Sequence, residues 1–274
     1  MLRGYVHSLL GALKAKKHLG QHFLVDDLVA EKVASLVEGK VVYEVGSGVG
    51  SLTLYMAGKA EYVYGCDVDE VFLDFLKKEL ARRRIINVDL VLCDATCFEN
   101  SLSRHVVVSN TPFNISSVLI VKLCYDAGLV EAFLGVQREV AQRVLAREGT
   151  RDYGRLSVIA QLCYNVEKLF DVSPYSFYPR PKVYTSFLRL VPRSDRNFAE
   201  IRTVEEFTRR VFPYINRKIV KALEHGLLVD RREAEELLDR CNVSSEKRVR
   251  ELTPREVSCL ARIFSEHVLE THLF

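Results

Sequence analysis

Short apolar runs alternate with helical stretches along the first half of the chain. The runs are rich in valine and in other β-branched or aromatic residues, which is typical of buried strands. They occupy residues 41–45, 62–66, 88–93, 106–110 and 132–137. Helical stretches are predicted from about Ser51, over 69–84, over 116–127 and over 138–147. This alternation predicts a doubly wound α/β domain, with a mainly parallel sheet that helices cover on both faces.

The pattern changes after Gly154. Residues 156–164 and 166–170 are predicted to be strands, a proline-punctuated segment follows them, and residues 183–191 alternate as a final strand. Antiparallel strands added late to a doubly wound sheet fit this order. The predicted fold class is therefore α/β with late antiparallel strands.

Helical signals extend from Thr203 to the end of the chain. Polar breaks near 226–230, 242–245 and 252–254 divide them. A charged, proline-containing link over 191–197 precedes this region. We therefore expect two domains: residues 1–192 form the α/β domain with a basic N-terminal arm, and residues 193–274 form a small all-helical domain.

Composition narrows the class of protein. Of the 274 residues, 48% are hydrophobic and 27% are charged, which excludes an intrinsically disordered chain. No apolar stretch is long enough to cross a membrane, because a spanning helix needs roughly 18 uncharged residues. Residues 1–17 are basic and lack the apolar core of a secretory signal, so we interpret them as a basic arm of the mature protein.

The cysteines give no sign of a metal site. No CxxC pair occurs, so we predict that the protein binds no zinc or other metal. An odd, unclustered set favours a reducing, cytoplasmic compartment, and we interpret all seven as small buried hydrophobic residues. They are Cys66, Cys93, Cys97, Cys124, Cys163, Cys241 and Cys259.

A glycine cluster follows the first strand, with the spacing G-x-G-x-G rather than the G-x-G-x-x-G of dinucleotide-binding proteins. Its glycines are Gly46, Gly48 and Gly50. Glu44 precedes the cluster, and Asp67 and Asp94 end the next two strands. Three carboxylates at one sheet edge suit a ligand with a positively charged tail, such as S-adenosylmethionine, better than a pyrophosphate. The structural alternative is a glycine turn and an acid that caps a helix.

A second polar segment, residues 109–114, follows the fourth strand. It combines the side-chain carbonyl of Asn110, the backbone carbonyl of Pro112 and the ring of Phe113. Two acceptors and an aromatic face are the groups needed to hold the exocyclic amine of a stacked base. In the structural alternative, Asn110 caps a helix and Phe113 packs into the core.

From about Lys16 to Leu190, the chain resembles the family of small-subunit rRNA adenine N6,N6-dimethyltransferases, and the resemblance continues more weakly through the C-terminal helices. The motifs that carry it are GQHFLV (20–25), EVGSGVGSLT (44–53), NTPF (110–113), QREVA (137–141), YGRLSV (153–158), FYPRPKV (177–183) and FPYINRKIVKAL (212–223). Several spaced motifs in order are more specific than any one alone. Three positions depart from the usual pattern: Thr111 replaces an aliphatic residue, Phe113 the commoner tyrosine, and Asp67 a glutamate.

The resemblance implies a class I methyltransferase fold with S-adenosylmethionine as cofactor. It assigns the methionine end and the ribose to His22, Leu24 and Gly46. It assigns the ribose hydroxyls to Asp67 and the amino group of the cofactor adenine to Asp94. The other cofactor-binding candidates in these motifs are Gln21, Glu44, Gly48, Gly50, Ala95 and Asn110.

The resemblance also implies the catalytic residues. Asn110 serves both the cofactor pocket and the target amine, and the Pro112 carbonyl is a second acceptor. The target adenine lies between Phe113 and Phe177, and stacking on each ring contributes about 1–3 kcal/mol. The base has to be unpaired, and the resemblance implies adjacent adenines in a hairpin loop near the 3′ end of small-subunit rRNA.

The charge balance of 39 basic and 36 acidic residues gives a net charge of only +3, so an RNA-binding surface requires local clustering. The candidate RNA-binding residues are Lys16, Lys17, Arg138, Arg143, Arg155, Arg180, Lys182, Arg217 and Lys218. The implied partner is small-subunit rRNA or its precursor particle, in a role linked to ribosome assembly. The resemblance also implies a monomer.

Three alternatives remain open. The first is an enzyme that dimethylates an adenine of large-subunit rRNA, although YGRLSV and the Arg-Lys pair of 212–223 favour the small subunit. The second is a non-catalytic ribosome-assembly protein, which the intact glycine loop, Asp67, Asp94 and NTPF argue against. The third is a nicotinamide dehydrogenase, which the glycine spacing and the lack of a candidate acid/base pair argue against.

Overall fold

The computed structural model describes residues 2–12, 20–96 and 104–271. The chain divides into two compact units. The sheet unit comprises Met1–Ala141 and Glu167–Val191, and the helical unit comprises Gln142–Val166 and Pro192–Phe274.

A seven-stranded sheet organises the sheet unit, in the order β4-β3-β2-β5-β6-β9-β7. Its strands are β2 (Val41–Val45), β3 (Tyr62–Asp67), β4 (Val88–Leu92), β5 (His105–Asn110), β6 (Leu129–Gln137), β7 (Tyr164–Val172) and β9 (Thr185–Pro192). The β3–β4, β2–β3, β2–β5 and β5–β6 pairs are parallel, whereas β6 and β9 are antiparallel. A separate antiparallel pair joins β1 (Phe23–Leu24) to β8 (Phe177–Tyr178). The predicted fold class, a doubly wound and mainly parallel sheet with late antiparallel strands, is confirmed.

The helices begin where local signals favour them. Asp26 accepts hydrogen bonds from the backbone N–H groups of Leu28 and Val29, which caps the second helix. Asp230 and Glu233 form a capping box at the start of the tenth helix. The helices are α1 (Leu2–Ala12), α2 (Asp27–Ser35), α3 (Thr53–Met56), α4 (Glu70–Arg82), α5 (Ser116–Leu123), α6 (Arg138–Leu145), α7 (Arg155–Cys163), α8 (Phe198–Val211), α9 (Ile219–Leu227), α10 (Arg231–Arg240) and α11 (Pro254–Thr271).

The N-terminal residues are more than a basic arm. In α1, Leu2, Val6 and Leu9 are buried in the same apolar cluster as the central strand residue Val42. The Tyr5 hydroxyl donates to the carbonyl oxygen of Val49 at 2.8 Å. Residues 2–12 therefore belong to the core of the sheet unit, because their apolar positions share one helix face. The rest of the predicted arm, including Lys16 and Lys17, lies outside the described residues.

The prediction of a strand over 156–164 is wrong. This segment is α7, and Gly154 begins it by donating its N–H to the Ser157 hydroxyl at 3.0 Å. Its buried side chains include Val158, Ile159 and Cys163, which are neighbours on a helix as well as members of an apolar run. The run alone does not separate a buried helix from a buried strand. The strand β7 starts only at Tyr164.

The helical unit is built from the C-terminal helices together with residues 142–166. Tyr153 is buried and donates its hydroxyl to the carbonyl oxygen of Leu252 at 2.7 Å, and Arg155 pairs with Glu205 at 3.2 Å. The sheet unit ends at Val191, so the boundary between the two units lies one residue before the predicted domain boundary at 192/193. Residues 142–166, however, fall inside the predicted first domain.

Disulfide bonds correct the interpretation of the cysteines. Cys66 and Cys93 form one disulfide, and Cys241 and Cys259 form another, with Cα atoms 5.8 Å and 5.9 Å apart. The prediction that all seven are small buried hydrophobic residues is wrong for these four positions and for Cys124 and Cys163, which are also disulfide-bonded. Sequence spacing does not indicate the first pair, because its two cysteines are far apart in the chain. They become neighbours only when two parallel strands lie side by side in the sheet. Cys97 lies outside the described residues.

Candidate functional site

A pocket opens in the sheet unit where the central parallel strands end. This is the edge at which open α/β sheets bind ligands. Among the predicted cofactor-binding and catalytic residues, the structure brings these to the pocket lining: Gln21, His22, Gly46, Gly48, Asp67, Asp94, Ala95, Asn110, Pro112, Phe113 and Phe177. It does not bring Leu24, Glu44 or Gly50 to that lining.

The glycine loop needs its glycines for conformation and for space. Gly48 and Gly50 have φ values of +51° and +83°, which side chains with a Cβ rarely adopt. A Cβ on Gly48 would lie 2.9 Å from the ring of Phe23, and one on Gly50 would lie 2.3 Å from Leu76. Gly50 thus shapes the loop from the core, which is why it does not line the pocket.

The two strand-end carboxylates are held in different ways. Asp67 is buried, and it accepts hydrogen bonds from the N–H groups of Gly48 at 2.7 Å and Asp69 at 2.9 Å. Burial raises the pKa of Asp67, although these donors oppose the shift. Asp94 is exposed and accepts from the side chain and the N–H group of Thr96, which lowers its pKa. Both carboxylates present acceptor capacity to the pocket.

Glu44 does not face the pocket as we predicted. It is 2% exposed, and its carboxyl group accepts a hydrogen bond from the Thr53 hydroxyl at 2.5 Å. Burial raises the pKa of Glu44 to about 7, although the bond from Thr53 opposes the shift. Leu24 is also buried, at 1% exposure, and pairs with Phe177 across β1 and β8. These two residues therefore support the pocket wall from within.

Asn110 is oriented by a single hydrogen bond. Its amide nitrogen donates to the carbonyl oxygen of His22 at 2.8 Å, and the opposite side-chain oxygen accepts no bond from the described residues. A carbonyl oxygen only accepts, so the nitrogen of the amide must face His22. The preceding residue, Ser109, donates to the Val45 carbonyl at 2.7 Å and fixes the end of β5. The structure therefore leaves Asn110 Oδ1 available as an acceptor.

His22 joins the two segments on this side of the pocket. Its Nδ1 lies 2.7 Å from the carbonyl oxygen of Pro179, so Nδ1 carries a proton and Nε2 is an acceptor in the neutral ring. Its ring centroid lies 5.1 Å from that of Phe113. Phe113 is half-buried and Phe177 is 4% exposed, and both rings line the pocket. An aromatic lining is thus available to a flat ligand.

The Pro112 carbonyl is already occupied. It accepts from the Ile115 N–H group at 3.1 Å and from the Ser116 hydroxyl at 3.3 Å. Because a carbonyl oxygen has two lone pairs, an incoming amine would have to displace or share one of these bonds. Asn110 is therefore the stronger of the two predicted acceptors.

Sequence reasoning missed two features of the pocket. Cys66 and Cys93 line it, and each is followed directly by one of the strand-end aspartates. The repeated Cys-Asp dipeptide at the ends of successive strands was the available signal. Thr111 also lines the pocket; it is 1% exposed, and its hydroxyl has no hydrogen-bond partner within the described part of the chain.

The described RNA-binding candidates lie on the surface, and several are paired. Arg138 bonds to Asp171 at 2.9 Å, and Lys218 bonds to Glu246 at 2.6 Å. Arg180 stacks 3.5 Å from the ring centroid of Tyr175. The exposed candidates are Arg143, Arg180, Lys182, Arg217 and Lys218, whereas Arg155 is partly buried beside its ion-pair partner. A continuous basic face stays a prediction.

Helices able to cross a membrane are not found in the described part of the chain. A family model for ribosomal RNA adenine dimethylase matches residues 12–266. The probable ribosomal RNA small subunit methyltransferase A of Pyrobaculum aerophilum is 37% identical over 256 residues, which cover 92% of this chain and 98% of that protein.

Solved structures show the same fold. A dimethyladenosine transferase from Plasmodium falciparum superposes with a TM-score of 0.77 at 25% identity, covering 89% of this chain and 98% of that one. The 23S rRNA methyltransferase ErmE superposes with a TM-score of 0.62 at 24% identity, covering 89% and 99%. At that identity, the second likeness shows the fold alone.

Proposed function

Because the chain belongs to the ribosomal RNA adenine dimethylase family, we propose that it dimethylates the N6 atom of adenines in small-subunit rRNA. It is an rRNA adenine methyltransferase that uses S-adenosylmethionine. The small-subunit substrate and the residue roles given below are parts of the proposal. The observation that carries it is the orientation of Asn110, which presents an open acceptor beside two aromatic rings.

The pocket fits a positively charged nucleoside. Asp67 and Asp94 would accept from ribose hydroxyls and from an adenine amino group, and the described lining residues include no lysine or arginine. A pyrophosphate would meet these carboxylates without a lysine or arginine among the described lining residues, which argues against a nicotinamide dinucleotide. When bound, S-adenosylmethionine supplies a methyl group on a positively charged sulfur. His22 and Gly46 would hold its methionine end.

Asn110 orients the nucleophile. The adenine N6 lone pair is delocalised into the ring, so the amine has to be turned until this lone pair faces the methyl donor. Asn110 Oδ1 would accept one N6–H bond and impose that rotation, while the His22 carbonyl keeps the amide from flipping. No strong general base is needed before attack, because the proton can leave to water afterwards. Positioning of this kind contributes roughly 7–11 kcal/mol in well-oriented systems.

Phe113 and Phe177 would hold the target base by stacking on its faces, at about 1–3 kcal/mol per ring. Stacking does not depend on how many methyl groups the amine carries. The once-methylated amine keeps a single N–H group, so Asn110 alone can hold it for the second transfer. The occupied Pro112 carbonyl is consistent with one acceptor being sufficient.

The small-subunit assignment rests on the Pyrobaculum relative, whose name specifies that subunit and whose length the chain nearly matches. We place the protein in the cytoplasm on the basis of this RNA substrate alone. Because the protein contains disulfides, its cysteines do not support a reducing, cytoplasmic compartment. The role in assembly of the small subunit and the monomeric state belong to the same proposal.

A methyl-transfer assay tests the proposal. The protein is incubated with S-adenosylmethionine labelled in its methyl group and with unmethylated small or large ribosomal subunits, and Asn110→Ala is run in parallel. We expect label in small-subunit RNA, recovered as N6,N6-dimethyladenosine after nuclease digestion, and almost none with the variant.

Two results would contradict it. Label only in large-subunit RNA would assign the protein to the other substrate class. No label in either RNA, with S-adenosylhomocysteine binding intact by calorimetry, would indicate an assembly protein that retains the cofactor pocket.

A further inference from the structure

The strands β3 and β4 deliver a cysteine and an aspartate each to the same pocket. Cys66-Asp67 ends β3, and Cys93-Asp94 follows β4. All four side chains line the pocket, and the two cysteines are joined in a disulfide with Cα atoms 5.8 Å apart. A covalent bond therefore ties together the backbone positions immediately before the two carboxylates.

The disulfide matters more for the position of Asp94 than for the position of Asp67. β4 is the edge strand of the sheet, and its last residue, Leu92, is 57% exposed. The last ladder bond runs from the Cys93 N–H group to the Asp67 carbonyl at 3.0 Å. Beyond it, the Asp94 side chain bonds only to Thr96 among the described residues. Among the described residues, the covalent link to Cys93 is therefore the direct connection between Asp94 and the strand that carries Asp67.

We propose that Cys66 and Cys93 are positioning residues, whose disulfide holds Asp94 at a fixed separation from Asp67 so that both carboxylates engage the adenosine part of S-adenosylmethionine. This inference rests on the proposed assignment of those carboxylates. The bond acts before the ligand arrives, so it removes an ordering cost from binding. Cys93 Sγ also lies 3.3 Å from the hydroxyl of Tyr43, a buried residue of β2, which anchors the disulfide to the centre of the sheet.

The helical unit supplies a matched control. Cys241 follows α10 and Cys259 lies in α11, with Cα atoms 5.9 Å apart and a sequence separation of 18 residues, against 27 for the first pair. Both disulfides restrict the unfolded chain, so removing either one lowers stability. Cys66 and Cys93 line the pocket, whereas Cys241 and Cys259 are not among its described lining residues. If only the variant without the Cys66–Cys93 bond binds the ligand more weakly, the cause is the place of this disulfide beside the pocket. Reduced stability alone would affect both variants.

The test compares three variants with the wild type: Cys66→Ser/Cys93→Ser, Cys241→Ser/Cys259→Ser and Asp94→Asn. The readouts are KM for S-adenosylmethionine, kcat at saturating concentrations, and the Kd of S-adenosylhomocysteine by calorimetry. We expect KM and Kd to rise about tenfold in the first variant, with kcat within about twofold of wild type. The second variant should lose thermal stability only. Mass spectrometry after thiol blocking should recover a peptide linked through Cys66 and Cys93.

A reversible measurement on the wild type complements the variants and remains available if the first of them does not fold. Dithiothreitol reduces the disulfide to two thiols and is itself oxidised to its cyclic disulfide. Binding of S-adenosylhomocysteine should weaken after this exchange and recover on reoxidation with oxidised glutathione. Dithiothreitol also reduces the disulfides of the other cysteines, so Cys241→Ser/Cys259→Ser and Cys124→Ser/Cys163→Ser proteins should both respond to reduction and reoxidation in the same way.

Distinct results would overturn the inference. These are the absence of the linked peptide, an unchanged KM without the Cys66–Cys93 bond, and an equal rise in KM in both cysteine variants. If Asp94→Asn raises KM while the first variant does not, only the role of the disulfide is wrong. If Asp94→Asn leaves KM unchanged, the proposed adenosine site is wrong, and the inference falls with it.

Discussion

On the cofactor side of the pocket, formed by β2, β3 and β4, the Asp67 carboxylate is clamped by the N–H groups of Gly48 and Asp69. On the target side, formed by the end of β5, a single bond from the Asn110 amide to the His22 carbonyl sets the orientation. On the first side, N–H donors fix a carboxylate that is proposed to bind the cofactor. The second leaves one acceptor open, at the place where the proposed reaction needs an amine to be turned.

This difference separates binding from catalysis in a measurable way. Interactions that are equal in the bound substrate and the transition state alter KM, whereas those that strengthen in the transition state alter kcat. We therefore expect variants on the cofactor side to raise KM for S-adenosylmethionine and variants on the target side to lower kcat. Variants on the two sides of the pocket test whether effects on KM and effects on kcat separate in this way.

The largest effect is expected from Asn110→Asp. The carboxylate has the shape of the amide but no donor for the His22 carbonyl, so it would rotate away and the open acceptor would be misplaced. We expect kcat to fall about 10²–10³-fold, as for loss of a preorganised polar contact in an active site. KM for S-adenosylmethionine should change little. Single-turnover kinetics at saturating RNA would measure this.

Asn87→Asp is the matched control for Asn110→Asp. The Asn87 amide also donates to backbone carbonyls, those of Ala57 and Ala60, but it does not line the pocket. This variant should lose stability and keep kcat. An equal loss of kcat in both variants would show that Asn110 acts through folding rather than through the amine.

A pH-dependent stability is expected from Glu44, on the cofactor side. Its pKa in the folded protein is about 7, above its ordinary value of 4.5, so the folded state binds a proton more tightly than the unfolded state. The free energy of unfolding should therefore fall as pH rises from about 4.5 to about 7, by up to about 3 kcal/mol. Glu44→Gln should remove most of this slope, which urea unfolding at several pH values would measure. An unchanged slope would contradict the burial argument.

A smaller, kinetic effect is expected from Asp67→Asn. The variant keeps the size of the side chain but loses the charge and places a donor against the N–H groups of Gly48 or Asp69. We expect KM for S-adenosylmethionine to rise at least about tenfold, as for a charge-assisted bond, with kcat much less affected. Asp89→Asn, which removes the charge from an exposed acceptor of the Tyr62 hydroxyl, is the control. A fall in kcat with unchanged KM would break the division between the two sides.

The sheet and the glycine loop were predictable because their signals are local. The run 41–45 has the length and residue types of a buried strand, and the glycines after it satisfy conformations that other residues resist. The helix over 155–163 was not predictable, since its apolar run fits both secondary structures. The disulfide of Cys66 depends on which strands become neighbours. That is a property of the whole sheet, so no local window of sequence contains it.

The direction in which a side chain faces was the least predictable feature of the site. Glu44 and Asp67 both stand at strand ends before a turn, yet only Asp67 reaches the pocket. Successive side chains of a strand point to opposite faces, so a one-residue difference decides between the core and the ligand. Asn110 could be identified from its motif, but its orientation depends on His22, which is 88 residues away in sequence.

The smallest effects compare two buried threonines, one on each side of the pocket. Thr53 donates its hydroxyl to Glu44, whereas the Thr111 hydroxyl finds no partner within the described residues. Valine has nearly the same shape, so each substitution tests the hydroxyl alone. Thr53→Val should destabilise the protein by about 1–2 kcal/mol, and Thr111→Val should stabilise it by about 1 kcal/mol, because burial of an unpaired hydroxyl is costly. Urea unfolding midpoints would show the opposite signs.

Kinetics of the same pair then decide what the Thr111 hydroxyl is for. A stabilised Thr111→Val with unchanged kcat and KM would mean that the target side tolerates a hydroxyl without a function at this position. A destabilised Thr111→Val would contradict the assignment of an unpaired group. A stabilised variant with lower kcat would show that the hydroxyl gains its partner only when the substrates are bound. The target side would then contain a second open polar group beside Asn110, and the contrast between a clamped cofactor side and an open target side would be sharper.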